Sequence, residues 1–104
     1  MTIQFNSDHN IKHQETLEAK LTPIITDGLS RFSKQMTRLE VHLSDENNNK
    51  NKVNVKRCLL EARLEGLQPF VASDDAENHE LALKGAINKL KTVIDTKIGH
   101  LRNH

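Results

Sequence analysis

The sequence predicts an α+β domain with the element order β-α-β-β-β-α, in which both helices pack on one face of a four-stranded sheet. Two observations support this fold class. Apolar residues recur every three or four positions in two stretches, 11–36 and 76–102, which is the period of an amphipathic helix. Elsewhere they alternate with polar residues, which is the period of a strand with one buried face. The chain of 104 residues is expected to form a single domain, 1–104, with one modest core.

The first strand and the first helix occupy the N-terminal third of the chain. Ile3 and Phe5 lie on one face of a short strand, and turn-forming residues follow it. The helical period then runs over residues 11–36. We expect Pro23 to kink or break this helix, because proline lacks a backbone donor and its ring crowds the preceding turn.

A strand and a long loop are predicted next. Between Arg38 and Asp45 apolar and polar side chains alternate, so the outer face of this strand should contact water. Residues 45–52 include no apolar side chain and many turn formers. This composition indicates a mobile hairpin loop.

The last two strands are predicted at 53–65 and 68–73. In a regular strand, Val53 and Val55 would lie on the opposite face from the later apolar residues, which begin at Cys58. We therefore expect either a bulge near Lys56 or a strand that begins only at Arg57. Since Pro69 cannot donate to a strand ladder, the last strand is expected at an edge of the sheet.

The final helix carries the longest apolar stripe of the chain. Its members are Leu83, Ala86, Ile87, Leu90, Val93, Ile94 and Leu101. A stripe of this length needs a wide apolar partner, which the sheet supplies. Asp74 and Asp75 are expected at the start of this helix, where acidic residues complement its dipole and can cap it.

Composition argues against several classes of function. The net charge is only +1, the N-terminus lacks the pattern of a signal peptide, and no apolar run reaches membrane-spanning length. A cytoplasmic protein without a membrane partner is therefore the default expectation. Three Phe without any Trp or Tyr disfavour a platform for stacking single-stranded bases. The lone Cys58 fits a reducing compartment, and we interpret it as a small buried apolar side chain.

No constellation in the sequence is typical of an active site. The run Ser7-Asp8-His9 contains the residue types of a catalytic triad, but a triad converges from separate elements. Two histidine pairs, at 9 and 13 and at 100 and 104, have a helical metal-ligand spacing without a third ligand to complete a site. We therefore expect no catalytic residue, no metal, no cofactor and no small-molecule substrate.

The remaining chemistry lies in the basic residues of the helices. The candidates are Lys20, Arg31 and Lys34 along the first helix, and Lys84, Lys91 and Arg102 in a row on the last. If the helices lie antiparallel or side by side, these cations could form a basic band that binds phosphates with little sequence preference. The alternative is an ordinary solvated helix face, because acidic residues interleave with the cations, and composition alone favours it.

Three segments and the element order carry a resemblance to a known family. The segments are Val41-His42-Leu43-Ser44, Glu61-Ala62-Arg63 and Ala86-Ile87-Asn88-Lys89-Leu90. In these, and over almost its whole length, the chain resembles the short members of the ribosome hibernation factor family. These are also called ribosome-associated translation inhibitors or sigma-54 modulation proteins. The short members lack the C-terminal domain that dimerises ribosomes in long ones.

The resemblance implies both a shape and a function. The shape is similar to that of double-stranded RNA-binding domains. The function implied is docking of a free monomer on 16S rRNA of the small ribosomal subunit, between head and body, where it blocks binding of messenger and transfer RNA without catalysing a reaction. Lys89 matches the basic residue that follows the Ile-Asn pair of the family, and the resemblance implies that it contacts rRNA.

This sequence also departs from the family pattern. Thr92 stands where many members carry an Arg, and the segment 78–81 lacks an aromatic residue that often occurs there. The predicted strand at residues 57–63 resembles the corresponding strand of one subgroup of this family. The competing hypothesis is a non-ribosomal stress or protein-interaction module on the same fold, which uses the water-facing side of the sheet.

Overall fold

The computed structural model describes residues 1–7, 14–48 and 53–102, and it has the predicted α+β architecture. The elements are β1 (Thr2–Ser7), α1 (Gln14–Gly28), one turn of 3-10 helix (Ser30–Phe32), β2 (Met36–Asn48), β3 (Val53–Leu64), β4 (Phe70–Ala76) and α2 (His79–Arg102). The strands form a single sheet in the order β1-β2-β3-β4. β1 is parallel to β2, whereas β2 with β3 and β3 with β4 are antiparallel.

The core lies between the sheet and the two helices. α2 packs on β3, β4 and α1, and α1 connects the parallel strands β1 and β2. Leu83, Leu90 and Ile94 of the predicted stripe are completely buried. Val93 was predicted in this stripe but is 41% exposed, because it lies beside the edge strand β4 rather than above the sheet. The side chain of Leu101 lies outside the described residues.

α1 is shorter than the helical period of the sequence. It ends at Gly28, and the helix predicted to reach residue 36 is replaced by a 3-10 turn. There the amide of Phe32 donates to the carbonyl of Leu29 at 3.0 Å. A 3-10 turn also brings every third residue to the same side, so Leu29 and Phe32 remain buried and the apolar period does not mark the end of the helix.

Pro23 does not break α1, contrary to one of the two outcomes expected for it. The helix is continuous from Gln14 to Gly28, and Pro23 lies on its exposed side. The hydroxyl of Thr22 donates to the carbonyl of Glu18 at 2.8 Å in the same part of the helix. Packing of Leu21 and Ile25 in the core holds the helix across the proline.

The hairpin of β2 and β3 is longer and more regular than predicted. Residues 45–48, expected in a loop, continue β2 and pair with residues 53–56, while 49–52 lie outside the described residues. The register is unbroken at Lys56, so neither the bulge nor the late start predicted there occurs; the irregularity lies between Met36 and Arg38. Near the loop end of this hairpin, Lys56 and Asp45 form an ion pair on the side of the sheet that faces the helices, where the rest of β2 and β3 has apolar side chains. The alternation of apolar and polar residues therefore stops before the strands end, and for this reason it misplaced their bounds.

The predicted helix cap at Asp74 and Asp75 is wrong, because both residues belong to β4. Asn78 caps α2 instead: its side-chain oxygen accepts a hydrogen bond of 2.8 Å from the amide of Leu81. The ring of His79 then bonds to the carbonyl oxygen of Ser44 at 3.1 Å and ties the start of α2 to β2. As predicted from Pro69, which immediately precedes it, β4 is an edge strand.

Candidate nucleic-acid interface

α1 and α2 lie side by side and run in the same direction. Lys20 of α1 meets Glu80 near the start of α2, and Arg31, just after α1, meets Asp95 near its end. Between these points a Cβ added to Gly28 would lie only 3.1 Å from Cγ2 of Ile87. The helices therefore approach closely at this glycine, and their outward sides form one continuous layer.

Most candidate cations of this layer have a carboxylate partner. Glu80 lies between Lys20, at 3.6 Å, and Lys84, at 3.8 Å. The guanidinium of Arg31 donates to Asp95 at 2.6 Å and lies over the ring of Phe32. All three cationic side chains are more than half exposed, so these ion pairs contribute little to stability and can exchange partners.

Lys34 and Lys91 differ from the other cations. Neither has an ion pair with a side chain that the structure describes. Lys34 is exposed after the 3-10 turn. Lys91 is half-buried and lines a groove of about 490 Å³ between the helices, together with Lys84 and Asn88 of α2 and Asp27 of α1.

Lys89 lies apart from this layer, on the opposite flank of α2. Its ammonium donates to the carboxylate of Asp74 at 3.0 Å and to the carbonyl oxygen of Ser73 at 3.4 Å. Lys89 therefore contacts the edge strand β4, whereas Lys84 and Lys91 lie on the side of α2 that faces α1. The side chain of Arg102 lies outside the described residues.

The water-facing side of the sheet carries arginines that are paired with acids. Arg57 binds Asp75 through two hydrogen bonds, of 2.8 and 3.3 Å. This contact lowers the pKa of Asp75. Arg63 lies between Glu40, at 3.9 Å, and Glu61, at 3.8 Å.

Glu40 and Glu61 are directly opposite each other on β2 and β3. The pKa of Glu40 is lowered, foremost by the side-chain hydrogen bond with Glu61 and then by the charges of Arg38, Arg63 and His42. The charges on this side of the sheet are thus largely compensated within the protein. A phosphate would gain little there, because it would compete with carboxylates already in place.

The structure also bears on the other candidates for chemistry. Cys58 is fully buried, and burial, followed by the charge of Asp74, raises the pKa of its thiol to about 12. Within residues 1–7, 14–48 and 53–102, no three His, Cys, Asp or Glu side chains come close enough to hold a metal. In the same ranges neither helix combines the length and apolarity needed to cross a membrane. The histidines at 9, 13 and 104 lie outside the described residues.

Sequence reasoning missed the acidic partners that organise this site. The pair of Glu80 and Lys84 could have been inferred from its spacing of four residues on one helix. The contact of Arg31 with Asp95, 64 residues apart, follows from how the two helices pack, for which the sequence holds no local signal. The same is true of the contact of Asp74 with Lys89 across β4 and α2.

Comparison with known proteins places the fold. A solved structure described as a ribosomal subunit interface protein from Coxiella burnetii is similar to this chain, with a TM-score of 0.73 and 14% sequence identity. The match covers 95% of this chain and 99% of the other. No protein-family model and no curated protein sequence matches the chain. At this level of identity the likeness establishes a shared fold.

Proposed function

We propose that this protein is a ribosome-associated translation inhibitor of the hibernation type. It docks on 16S rRNA in the decoding region of the small subunit and blocks binding of messenger and transfer RNA by occupancy, without catalysis or a cofactor. The observation that carries the proposal is the likeness over 95% of the chain to a protein described by its place at the ribosomal subunit interface. In this proposal the free protein is a cytoplasmic monomer.

The outer side of α1 and α2 is the surface we assign to rRNA. Lys20, Lys84 and Arg31 hold exposed carboxylates there, and an rRNA phosphate can replace those carboxylates at little cost. Lys34 and Lys91 form no ion pair with a described carboxylate, although Asp27 lines the same groove as Lys91. Such contacts bind the RNA backbone without reading its sequence, which suits a protein that recognises the shape of folded rRNA.

Lys91 and Lys84 form the centre of this surface. They lie two helical turns apart on the wall of the groove between the helices, with Asn88 between them as a neutral hydrogen-bonding group. A phosphate at the mouth of the groove could contact both ammonium groups. The roles of Lys89 and Arg102, implied by the resemblance and by the row on α2, stay predictions.

A matched pair of double variants tests the proposal. Lys84→Gln with Lys91→Gln removes two positive charges from the helical surface, and Arg38→Gln with Arg63→Gln removes two from the sheet. Because a hydrogen bond to a charged group contributes about 1.5 kcal/mol or more, we expect the helical variant to bind ribosomes roughly 100-fold more weakly. The slope of log affinity against log salt should fall by about 2. The measurement is co-sedimentation with purified small subunits at several salt concentrations.

The two variants carry the same net charge, so a general electrostatic effect would weaken both equally. If the helical variant sediments like wild type, the proposed surface is wrong. If only the sheet variant loses binding, the protein docks on the small subunit through the sheet and not through the helices. If wild type does not co-sediment at all, the result favours the non-ribosomal interaction module. Lys89 is left unchanged, because its replacement would also expose the carboxylate of Asp74 and confound binding with stability. A competition assay with messenger RNA and initiator transfer RNA then tests the block itself.

A further inference from the structure

The groove between α1 and α2 has the size and the lining of a pocket for a small ligand. Its volume is about 490 Å³, and ligand pockets of proteins range from about 300 to 1,000 Å³. Pro23 and Ile24 of α1 and Ile87 of α2 give it apolar walls, which the close approach of the helices at Gly28 brings together. These aliphatic side chains can contact the face of a planar ring in place of the aromatic residues that the chain lacks.

Asp27 lines this groove, although its position does not favour stability. It lies in the last turn of α1, where the helix dipole disfavours a negative charge. It forms no ion pair with a described side chain, even though Lys91 lines the same groove. A carboxylate and an ammonium that share a groove without pairing suit a ligand that needs both an acceptor and a donor.

The polar groups of the groove match the hydrogen-bonding pattern of guanine. Asp27 only accepts hydrogen bonds, Lys91 only donates them, and the amide of Asn88 does both. The Watson–Crick edge of guanine carries two neighbouring donors, N1–H and the N2 amino group, followed by the acceptor O6. Adenine and cytosine have one amino donor next to a ring acceptor, and uracil has one donor between two acceptors. A carboxylate that accepts two hydrogen bonds therefore selects guanine.

We propose that this groove binds guanine nucleotides. The base lies against Ile24 and Ile87, with its N1–H and N2 amino group on Asp27 and its O6 on Lys91. The phosphate lies at the mouth of the groove on Lys84, which is seven residues, or about 10 Å, from Lys91 along α2. This spacing is similar to the length of one nucleotide. The ion pair of Lys84 with Glu80, at 3.8 Å, is exposed, so a phosphate can replace the carboxylate.

The nucleotide has two sources, a free guanosine phosphate or an unstacked guanosine of rRNA. The second source rests on the proposed function, whereas binding of the first can be measured without ribosomes. Because Lys84 also belongs to the surface that we assign to rRNA, a free nucleotide in the groove would compete with docking.

Titration of the whole protein with GDP, ADP and xanthosine diphosphate, followed by amide chemical shifts, tests the proposal. GDP should bind with a dissociation constant of about 1 mM or lower and shift residues 23–28 and 84–91, and ADP should bind about tenfold more weakly. In Asp27→Asn an amide donor replaces one carboxylate oxygen. The preference of this variant should therefore change to xanthosine diphosphate, in which a carbonyl replaces the N2 amino group.

Two more variants complete the test. Glu15→Gln is the matched control for Asp27→Asn, because Glu15 is an exposed acid of α1 outside the groove, and it should bind GDP like wild type. Lys84→Gln should bind GDP several-fold more weakly and bind guanosine, which has no phosphate, like wild type. No binding of GDP, equal affinity of wild type for GDP and ADP, or a preference for GDP that Asp27→Asn retains would each overturn the inference.

Co-sedimentation with small subunits separates the two sources. Weaker sedimentation of Asp27→Asn than of Glu15→Gln supports a guanosine of rRNA. Displacement of wild type by GDP and not by ADP, with normal sedimentation of Asp27→Asn, supports a free nucleotide. If GDP binds as expected and wild type does not sediment, the inference stands and the proposed function fails. If wild type sediments and GDP has no preference over ADP, the proposed function stands and the inference fails.

Discussion

The substitution Gly85→Ala probes how closely β4 packs on α2. A Cβ added to Gly85 would lie 1.8 Å from Oδ2 of Asp74, 2.7 Å from its Cγ and 3.1 Å from its Cβ. The carboxylate of Asp74 therefore occupies the space that a side chain at this helix position would need. Gly99, in the same helix, is the matched control, because a Cβ added there would meet no atom within 4 Å.

The change in the free energy of unfolding that Gly85→Ala causes is the sum of opposing effects. Alanine in place of glycine stabilises a helix interior by about 1 kcal/mol through propensity. At Gly85 the added methyl group must displace Asp74, which costs about 1–3 kcal/mol as overpacking. Its exposed ion pair with Lys89 contributes at most about 1 kcal/mol more. We therefore expect Gly85→Ala to lower the free energy of unfolding by about 1–2 kcal/mol, and Gly99→Ala to raise it by up to about 1 kcal/mol.

Urea unfolding of the single variants and of a double variant measures these values. In an Asp74→Ala background only the Cβ contact at 3.1 Å remains, which a small shift relieves, so Gly85→Ala should there stabilise by about 1 kcal/mol. The coupling between the two sites is then about 2–3 kcal/mol. If Gly85→Ala alone stabilises the protein as much as Gly99→Ala, the carboxylate does not lie against the helix and the reasoning fails.

Two further predictions concern the core and the sheet. Leu90→Ala should lower the free energy of unfolding by about 2–5 kcal/mol, because Leu90 is completely buried between α2 and the sheet and its removal leaves a cavity. Urea unfolding measures this loss, and a value below about 0.5 kcal/mol would contradict this packing. Asp75→Asn should lower the melting temperature at pH 7, since the hydrogen bond from Arg57 lowers the pKa of Asp75 and folding therefore favours the charged form. That stabilisation is present above about pH 4, the ordinary pKa of Asp, and is lost as the pH falls through the lower folded pKa, so the two melting temperatures should converge in acid.

The fold was predictable because its main patterns reflect burial. Both the stripe of α2 and the alternation of β3 report which side chains leave water, and the apolar face of β3 from Cys58 to Leu64 is buried as predicted. The ends of elements were less predictable. The apolar period continues past Gly28 because a 3-10 turn has nearly the same spacing. Residues 45–48 look like a loop because they are polar, although they continue β2, and Asp45 pairs there with Lys56.

The placement of the candidate cations on the helices was predictable, and their ion pairs were not. Helical spacing places Lys84 and Lys91 on one flank of α2, and the structure puts that flank beside α1. Apart from the local pair of Lys84 with Glu80, the partner of a cation comes from an element that is distant in sequence. Lys89 illustrates this, because its carboxylate comes from a residue that was expected to cap the helix and instead belongs to β4.

The position of α2 after all four strands has a consequence for synthesis of the protein. All four strands precede α2 in the chain, and α2 covers β3 and β4. At about 5–20 residues per second, translating the 24 residues of α2 takes about 1–5 s. Until α2 has been made, it cannot cover Leu60, Ala62 and Ala72, so burial of these side chains depends on an element that is translated after the whole sheet.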